Sequence, residues 1–450
     1  MSGLRIRGRY NQGLRILISA GEASGEMYGA QLIDALRRAA GRMRAELACA
    51  GQPKAVVPAP TQFMPAAFPA QVDSTVTDPT PARFPTPGAQ VEFFGVGGER
   101  MRAAGCDTIV DAKDLAVVGI TEILGHLPKI YRLFHRLITA VDQRRPEVAV
   151  VIDSPAFNWR VARQMKKRGV PVVYYVAPQF WAWRQGRVRL LRKYIDKALV
   201  IFPFEEQFYR ERGVDATFVG HPLADLPRPA VERSDYAAEH SLNPAKPWIT
   251  LMPGSRVKEA RMNLPTIMES VTTLGPEYEF LLPLAPTMDH DVLRAMTRNP
   301  ATGRPAELHF VPDAPTALWH SRAAIVASGT ATVEAAMMAT PFVMVYRVSP
   351  LTYFLGKPLV KVPYFAMVNL IAGEEVVPEL VQHNFTAHKV VERLKEILPD
   401  GLARERMIEG LARVKSRLRA PAGAAGEAMR HPADRAAELI LAMGLRRAAG

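Results

Sequence analysis

LRILISAGEASGEMYGAQL, residues 14–32, begins with an apolar run, continues through Gly21, Gly25 and Gly29, and ends in a helix-like pattern. A strand, a glycine-bearing turn and a helix in this order are typical of a site where a helix N-terminus faces an anion. The glycine spacing is G-x-x-x-G-x-x-x-G, whereas a dinucleotide-binding turn has G-x-G-x-x-G. The stretch therefore predicts the start of an α/β domain and argues against a redox dinucleotide.

Apolar runs followed by a small-residue turn and a helical pattern recur along the chain. They predict strands near residues 14–19, 91–95, 148–152, 171–176, 198–202, 216–219, 248–252, 279–282, 307–310, 323–327 and 342–346. Strands that alternate with helices indicate parallel sheets covered by helices on both faces. Because 450 residues exceed one ordinary core, the predicted fold class is α/β with two such sheets.

Composition shifts suggest the domain boundaries. The stretch 221–247 is polar and contains prolines, so the boundary is placed there, while 51–90 holds nine prolines and no periodic pattern. Proline at that density disfavours helices and sheets, which predicts a disordered or loosely extended insertion without chemistry of its own. The predicted units are a separate N-terminal segment at 1–13, a first domain at 14–225, a linker at 226–247, a second domain at 248–400, and helices at 401–450 that can cross back to the first domain.

Charge and cysteine content limit the partners and the compartment. The chain has 57 Lys and Arg against 44 Asp and Glu, a net charge of +13, which favours nucleic acid, an acidic membrane or a phosphorylated substrate. Cys49 and Cys106 show neither metal-ligand spacing nor a disulfide framework, so a reducing compartment is expected. The N-terminus lacks the apolar core of a secretory signal. No run approaches the roughly 18–20 apolar residues of a spanning helix, so any membrane contact is expected at the surface.

Two strand-to-turn junctions in the second domain predict a nucleotide site. LMPGSR (251–256) and ASGTATVEA (327–335) each place a glycine directly after a strand and before a helix. A glycine allows the backbone to approach a diphosphate, and the helix N-terminus adds partial positive charge. Arg256 can neutralise a diphosphate leaving group, and Glu334 can accept hydrogen bonds from ribose hydroxyls. The alternative is two ordinary turns, with Glu334 only complementing the helix dipole.

VVIDSPAFN (150–158) ends a strand at Asp153 in the first domain. Ligands in open parallel sheets bind beyond the carboxyl ends of the strands, so Asp153 is a candidate general base if its surroundings raise its pKa. From position alone, an Asx-turn in which the side chain caps the following backbone is the favoured explanation of Asp153.

Three further stretches leave alternatives open. Trp181 and Trp183 precede a basic segment that either binds an anionic lipid or single-stranded nucleic acid, or is a solvated helix with its tryptophans in the core. The amphipathic pattern at 120–138 either lies at a membrane interface or packs on the domain's own sheet. The apolar, aromatic stretch 346–373 either lines a groove for an apolar substrate or belongs to the core.

Taken in order, these stretches resemble a known family, the lipid-A-disaccharide synthases. The resemblance runs over nearly the whole chain and rests on AGEASGEMYGAQLI (20–33), FFGVGGERMRAAGC (93–106), LAVVGITEILG (115–125), VIDSPAFN (151–158), YYVAPQFWAWRQGRV (174–188), FVGHPLAD (218–225), LMPGSR (251–256), ASGTATVEA (327–335) and VNLIAGEEVVPELVQ (368–382). It implies a GT-B architecture, in which two Rossmann-like domains face each other across a cleft. Segments 1–12 and 51–90 depart from the family pattern.

The resemblance also implies a reaction. An inverting transfer of 2,3-diacylglucosamine from UDP-2,3-diacylglucosamine to 2,3-diacylglucosamine 1-phosphate (lipid X) gives a β-1,6 disaccharide and UDP. No metal or other cofactor is expected. The implied location is the cytoplasmic face of the inner membrane, on anionic phospholipid, as a monomer or homodimer and without nucleic acid. The alternatives are another GT-B transferase that uses UDP-GlcNAc and a lipid, a sugar-nucleotide epimerase, or a non-enzymatic binder of anionic lipid or nucleic acid.

The resemblance assigns roles to particular residues. Asp153 matches the general base, and Ala156 stands where relatives often carry a second acid, which favours Asp153 as the working one. Arg256 matches the arginine on the diphosphate side. The expected UDP-binding residues are Gly254, Ser255, Arg256, Ser328, Gly329, Thr330, Glu334, Asn369 and Gln382. The expected acceptor-side or cleft residues are Glu22, Ser24, Gly25, Trp181, Trp183 and Arg184, with Ser24 predicted to cap a helix that begins near Glu26.

Overall fold

The computed structural model describes residues 13–21, 23–49, 91–115, 120–284, 288, 290–297, 307–360, 362–419 and 431–449. The predicted N-terminal segment, except Gly13, and the proline-rich insertion at 51–90 lie outside these residues. The described strands are β1 (Arg15–Ala20), β2 (Glu92–Gly97), β3 (Cys106–Asp111), β4 (Val148–Ile152), β5 (Val172–Tyr175), β6 (Lys197–Val200), β7 (Ala216–Phe218), β8 (Trp248–Met252), β9 (Glu279–Pro283), β10 (His309–Val311), β11 (Ala323–Ala327), β12 (Phe342–Tyr346) and β13 (Glu379–Val381).

The strands form two parallel sheets. The first has the order β3-β2-β1-β4-β5-β6-β7 and the second the order β10-β9-β8-β11-β12-β13. All their pairings are parallel. In each sheet the strand order reverses next to the strand that comes first along the chain. This point lies between β1 and β4 in the first sheet and between β8 and β11 in the second. The predicted α/β class with two Rossmann-like sheets is thus confirmed.

The helices cover both faces of each sheet. They are α1 (Ala23–Cys49), α2 (Glu99–Ala103), α3 (Ile120–Arg144), α4 (Pro155–Lys167), α5 (Phe180–Trp183), α6 (Val188–Tyr194), α7 (Pro203–Arg210), α8 (Arg233–Glu239), α9 (Val257–Leu274), α10 (His290–Met296), α11 (Ala314–His320), α12 (Thr330–Met337), α13 (Pro350–Gly356), α14 (Met367–Ala372), α15 (Ala387–Ile397), α16 (Leu402–Leu418) and α17 (Pro432–Ala449). Across the described residues, no helix combines the length and apolar character needed to cross a bilayer.

Each of the eleven predicted strands is present within a residue or two of its expected position. The central strands were recognisable because they are apolar runs buried on both faces: every residue of β4 and of β11 is buried. Strands β3 and β13 were missed. Both lie at sheet edges, where β3 carries exposed and half-buried residues and β13 has only three residues, so neither forms a long apolar run.

The C-terminal part of the chain contacts both domains. Helix α16 packs on the second domain through Leu411 and Val414. Helix α17 lies on α1 of the first domain, where Asp434 pairs with Arg38 at 3.0 Å. Within the stretch predicted to be a linker, α8 is a helix whose buried Tyr236 packs in one cluster with residues of the second sheet, so this part of the stretch packs on the second domain.

Candidate active site

The polar residues predicted to be functional gather where the two sheets reverse their strand order. Asp153 follows β4 and Gly21 follows the neighbouring strand β1. In the second domain, Gly254 follows β8 and Ser328 follows the neighbouring β11. Ligands of open parallel sheets bind in the crevice at such points. The carboxyl ends of both sheets therefore contribute to one cleft.

The main chain at Asp153 has an unusual conformation. Asp153 and Ser154 have φ values of 49° and 43°, in the left-handed region, which costs a non-glycine residue roughly 1–3 kcal/mol. The adjacent turn lies very close: a Cβ atom on Gly21 would stand 2.6 Å from the Ser154 Oγ, so a larger residue there would displace the Ser154 side chain. This conformation turns the chain sharply between β4 and α4 and leaves the Asp153 side chain at the strand end.

The side chain of Asn158, in the first turn of α4, holds this conformation. Its Nδ2 lies 2.7 Å from the Asp153 carbonyl oxygen, 2.9 Å from that of Ile152 and 3.3 Å from that of Ser19, and its Oδ1 accepts a 2.7 Å bond from the Ser19 hydroxyl. The Tyr174 hydroxyl also donates to the Asp153 carbonyl, at 2.8 Å. Asn158 is fully buried, so it joins β1 to the β4 turn and does not itself face the cleft.

The environment of the Asp153 carboxylate suits a general base. Burial raises the pKa of this carboxyl above its ordinary value. Hydrogen bonds from the Ser154 N–H and the Ser24 hydroxyl, and the positive charge of Arg256, act in the opposite direction. The Ser24 Oγ lies 3.4 Å from Oδ2, so the prediction that Ser24 caps a helix beginning near Glu26 is wrong: α1 begins at Ala23, and Ser24 within it contacts Asp153.

Gly25 lies beside the same carboxylate. A Cβ atom at Gly25 would be 3.7 Å from the Asp153 Cβ, an ordinary contact distance, so this part of α1 packs directly on the β4 turn. Glu22 lies outside the described residues.

On the opposite side of the cleft, the turn after β8 presents Arg256. Gly254 has a φ of 118°, and a Cβ atom there would stand 2.6 Å from the Glu259 Cβ, so both conformation and space require glycine. Arg256 directly precedes α9, and its Nη1 pairs with Glu259 Oε1 at 3.3 Å. The Arg256 side chain is 75% exposed, which leaves its guanidinium available to an anion. Ser255 lies in the turn between them.

The turn after β11 is the second turn predicted to bind the nucleotide. Ser328 donates from its hydroxyl to the Phe365 carbonyl at 2.8 Å, Gly329 precedes α12, and Thr330 begins that helix. Glu334 lies in the second turn of α12, where burial raises the pKa of its carboxyl.

Asn369 and Gln382 use their side chains within the protein. The Asn369 Oδ1 accepts from the Val376 and Val377 N–H groups at 2.8 and 3.0 Å, and its Nδ2 donates to the Val377 carbonyl and to Glu379. Gln382 has a φ of 54°. Its side-chain Oε1 accepts from the Val348 N–H at 3.0 Å, and its Nε2 donates to the Val348 carbonyl at 3.1 Å. Both residues therefore shape the loops beside the nucleotide turns, and direct contact with UDP stays a prediction for each.

Glu379 was not anticipated. One of its carboxylate oxygens accepts from the Phe365 N–H at 2.8 Å and the other from the Ala366 N–H at 2.9 Å, immediately before α14. It thereby supports the loop to which Ser328 is bonded. No sequence signal distinguishes Glu379 from the other acidic residues of its stretch, whereas an asparagine four residues after Ser154 inside an otherwise regular helix could have drawn attention to Asn158.

The two tryptophans have different environments. Trp181 is buried in the core shared with the second domain, and its indole N–H donates to Glu205 Oε1 at 2.7 Å. Burial raises the pKa of Glu205 to about 7, opposed by the Trp181 indole and the N–H groups of Phe202 and Ile201. Trp181 is therefore a core residue, and a contact with the acceptor stays a prediction for it. Trp183 is 47% exposed, with the Arg184 guanidinium 4.0 Å from its ring.

A base candidate on one Rossmann-like domain and an exposed arginine with two glycine-bearing turns on the other are the arrangement expected of a sugar-nucleotide enzyme of the GT-B type. Solved structures share this fold. The glycosyltransferase CalG4 of calicheamicin is 14% identical with a TM-score of 0.53, covering 96% of this chain and 98% of that one. A UDP-GlcNAc 2-epimerase from Neisseria meningitidis is 9% identical with a TM-score of 0.52, covering 96% and 100%.

The sequence comparisons are more specific. A family model described as lipid-A-disaccharide synthetase matches residues 81–424. The lipid-A-disaccharide synthase of Koribacter versatilis is 47% identical to this chain, over 96% of this chain and 100% of the relative. The lipid-A-disaccharide synthase of Acidobacterium capsulatum is 43% identical, over 91% of this chain and 93% of the relative. One from Myxococcus xanthus is 37% identical over 95% and 97%. The chain belongs to the lipid-A-disaccharide synthase family, a family of glycosyltransferases. This confirms the family that its sequence motifs indicated.

Proposed function

We propose that this protein transfers 2,3-diacylglucosamine from UDP-2,3-diacylglucosamine to the 6-hydroxyl of 2,3-diacylglucosamine 1-phosphate, forming a β-1,6 bond and releasing UDP. The observation that carries the proposal is the half-buried Asp153 carboxylate, held at the end of β4 and within the electrostatic reach of Arg256 from the other domain. An inverting displacement needs a base on one side of the anomeric carbon and charge stabilisation on the other. Asp153 and Arg256 provide groups of these two kinds.

The proposed step is a single displacement. The acceptor hydroxyl oxygen attacks the anomeric carbon, its proton moves to an Asp153 carboxylate oxygen, and the bond to the diphosphate oxygen breaks. Burial raises the pKa of Asp153, which makes this carboxylate a better proton acceptor than an ordinary aspartate. The strained backbone at 153–154, fixed by Asn158, keeps the carboxylate in place so that little reorganisation is needed.

The negative charge that develops on the UDP leaving group would be stabilised by residues of the second domain. The exposed Arg256 guanidinium and the N-terminus of α12 would face the diphosphate, with Gly254 and Gly329 allowing close approach. Glu334 would accept hydrogen bonds from ribose hydroxyls. Among the described residues, no group of three or more His, Cys, Asp and Glu side chains could hold a metal ion. Metal independence is a separate part of the proposal that the assay below tests.

Membrane association at the cytoplasmic face of the inner membrane is proposed for the helices on one face of the first sheet. Helices α3, α4, α5 and α6 share one apolar cluster on that face. They leave Tyr131 64% exposed on α3 and Trp183 47% exposed on α5, and Arg184 follows. Exposed aromatics beside arginines suit an anionic lipid surface, and the net charge of +13 agrees. Sedimentation with phosphatidylglycerol vesicles, but not phosphatidylcholine vesicles, is expected and should weaken with salt.

The direct test is a UDP-release assay with both diacylated substrates, in the presence of either EDTA or Mg²⁺. The expected result is turnover that requires the acceptor and is similar with and without the metal. UDP-GlcNAc in place of the diacylated donor should react far more slowly. A clear preference for UDP-GlcNAc would contradict the proposal and would favour another UDP-GlcNAc transferase or an epimerase.

A further inference from the structure

Asn263 is a polar residue on the buried side of α9, the helix that follows the turn after β8. It is only 1% exposed and shares this side of the helix with Ala260 and Leu264, which belong to the core of the second domain. Burying an amide in such surroundings is costly unless the amide forms a hydrogen bond. The Asn263 Nδ2 donates to the carbonyl oxygen of Pro253 at 2.9 Å, and this bond is itself buried.

This hydrogen bond fixes the peptide group between Pro253 and Gly254. Pro253 directly follows β8, and its carbonyl is turned into the domain, toward Asn263. Among the described residues no peptide bond is cis, and a trans peptide directs its C=O and its N–H to opposite sides. The Gly254 N–H therefore points away from Asn263 and from the core, on a residue that is only half-buried.

The first domain contains the same arrangement. There Asn158, on the helix after β4, donates to the carbonyl of Asp153, which directly follows that strand. Both β4 and β8 border the point where the strand order of their sheet reverses. In both domains, an asparagine on the following helix thus holds the first main-chain carbonyl after the strand. Because the two turns are the ones that present Asp153 and Arg256, we expect Asn263 to serve the nucleotide turn as Asn158 serves the base.

We propose that Asn263 is a positioning residue for the diphosphate of UDP. By holding the Pro253 carbonyl inside the domain, it keeps the Gly254 N–H directed outward, where a phosphate oxygen accepts from it. A hydrogen bond to a charged oxygen is strong, and a donor that is already oriented needs no reorganisation when the charge on the leaving group develops. The proposal rests on the proposed function for the placement of UDP at this turn. Asn263 itself does not touch the nucleotide.

Asn263→Leu tests this proposal, because it removes the Nδ2 donor and keeps a side chain of similar volume. Asn263→Ala is the second variant, to be used if the leucine variant does not fold. Ser270→Ala is the matched control: Ser270 is fully buried on the same helix, donates to the Thr266 carbonyl at 2.8 Å, and lies about 10 Å further along the helix axis. Titration calorimetry with UDP and with uridine, which lacks the diphosphate, is compared for the wild type and the variants, and Tm is measured for each.

The Asn263 variants are expected to lose about 5–20-fold in UDP affinity, the size of effect that follows from weakening one hydrogen bond to a charged group, and to keep the uridine affinity of the wild type. Ser270→Ala should bind both ligands like the wild type. The difference between UDP and uridine within one protein separates a displaced Gly254 N–H from general damage to the domain.

An unchanged UDP affinity in the Asn263 variants would overturn the proposal. So would an equal loss for UDP and uridine, or the same loss of UDP affinity in Ser270→Ala, because either result would show that only the packing of α9 matters. A wild type that binds UDP but does not turn over the diacylated pair would contradict the proposed function alone, because these titrations do not depend on that reaction.

Discussion

The buried amide of Asn158 lies 2.7 Å from the main-chain oxygen of Asp153 and joins the turn after β4 to strand β1. We predict that Asn158→Leu lowers the free energy of unfolding by roughly 1–3 kcal/mol, because three carbonyl groups each lose one hydrogen bond and only the Asp153 carbonyl keeps the one from Tyr174. We also predict that kcat falls by at least about 10-fold with a smaller change in KM, because the variant disturbs the position of Asp153 and removes no substrate contact. Thermal unfolding and steady-state kinetics measure the two effects.

Thr250→Val is the matched control for this variant. It breaks a buried 2.7 Å bond between Thr250 and Ser321 in the middle of the second sheet, away from the strand ends. Its stability should fall without a matching loss in kcat. If Asn158→Leu behaves like this control, Asn158 stabilises the fold only and does not position the base.

The contact between Ser24 and Asp153 predicts a pH effect. The Ser24 hydroxyl lowers the pKa of Asp153, so Ser24→Ala should raise that pKa. Because the reaction needs ionised Asp153, the acidic limb of the kcat profile should move to higher pH, and the rate above the limb should change little. Ser24→Thr keeps the hydroxyl and should leave the limb in place. An unchanged or lowered limb in Ser24→Ala would show that this bond does not act on the base.

Arg256→Ala should separate activity from stability. Among the residues that the structure describes, Arg256 forms an ion pair only with Glu259, on an exposed surface, so the free energy of unfolding should change by about 0.5 kcal/mol or less. The kcat should fall by roughly 10²–10³-fold, the magnitude typical of removing a group that stabilises developing negative charge. Arg393→Ala removes a similar pair with Glu396 on α15 and should leave kcat unchanged. Similar kinetics for Arg256→Ala and Arg393→Ala would show that Arg256 does not take part in the reaction.

Gly254→Ala should damage the nucleotide turn. The φ of 118° disfavours alanine, and its Cβ would collide with that of Glu259. A loss of roughly 1–3 kcal/mol in unfolding free energy and weaker UDP binding are expected, measured by thermal unfolding and calorimetry. Gly41→Ala in α1, where no described atom outside the neighbouring helix backbone lies within 4 Å of the new Cβ, should instead stabilise the protein by up to about 1 kcal/mol. UDP affinity that is unchanged in Gly254→Ala would argue against this turn as the diphosphate site.

Strands and turns that are determined by residues adjacent in the sequence could be predicted from the sequence. The buried strands β4, β8, β11 and β12 are short runs of apolar residues, and turn glycines or polar residues mark where they end. Asp153 and Arg256 were candidates because they follow such strands, and the parallel topology then places both at the cleft. The edge strands β3 and β13 were missed because an exposed edge does not require an apolar run.

Contacts between distant residues could not be predicted. Asn158 and Ser19 are 139 positions apart, and only the pairing of β1 with β4 brings them together. Ser24 was predicted to be a helix cap because serine is common at caps, but the close approach of the β4 turn gives its hydroxyl a carboxylate as partner. Trp181 was placed in the cleft by its motif, whereas the buried carboxylate of Glu205 holds it in the core.

The most direct measurement is UDP release from the two diacylated substrates by Asp153→Asn, beside UDP affinity measured by calorimetry. The substitution keeps the shape of the side chain at residue 153 and the hydrogen bonds from Asn158 to the backbone, but it removes the proton acceptor. We predict that kcat falls by about 10²–10⁴-fold or more, while UDP binds as tightly as in the wild type and Tm is not lowered, since burial disfavours the ionised carboxylate. A rate within a few fold of the wild type, with UDP binding intact, would show that Asp153 is not the general base.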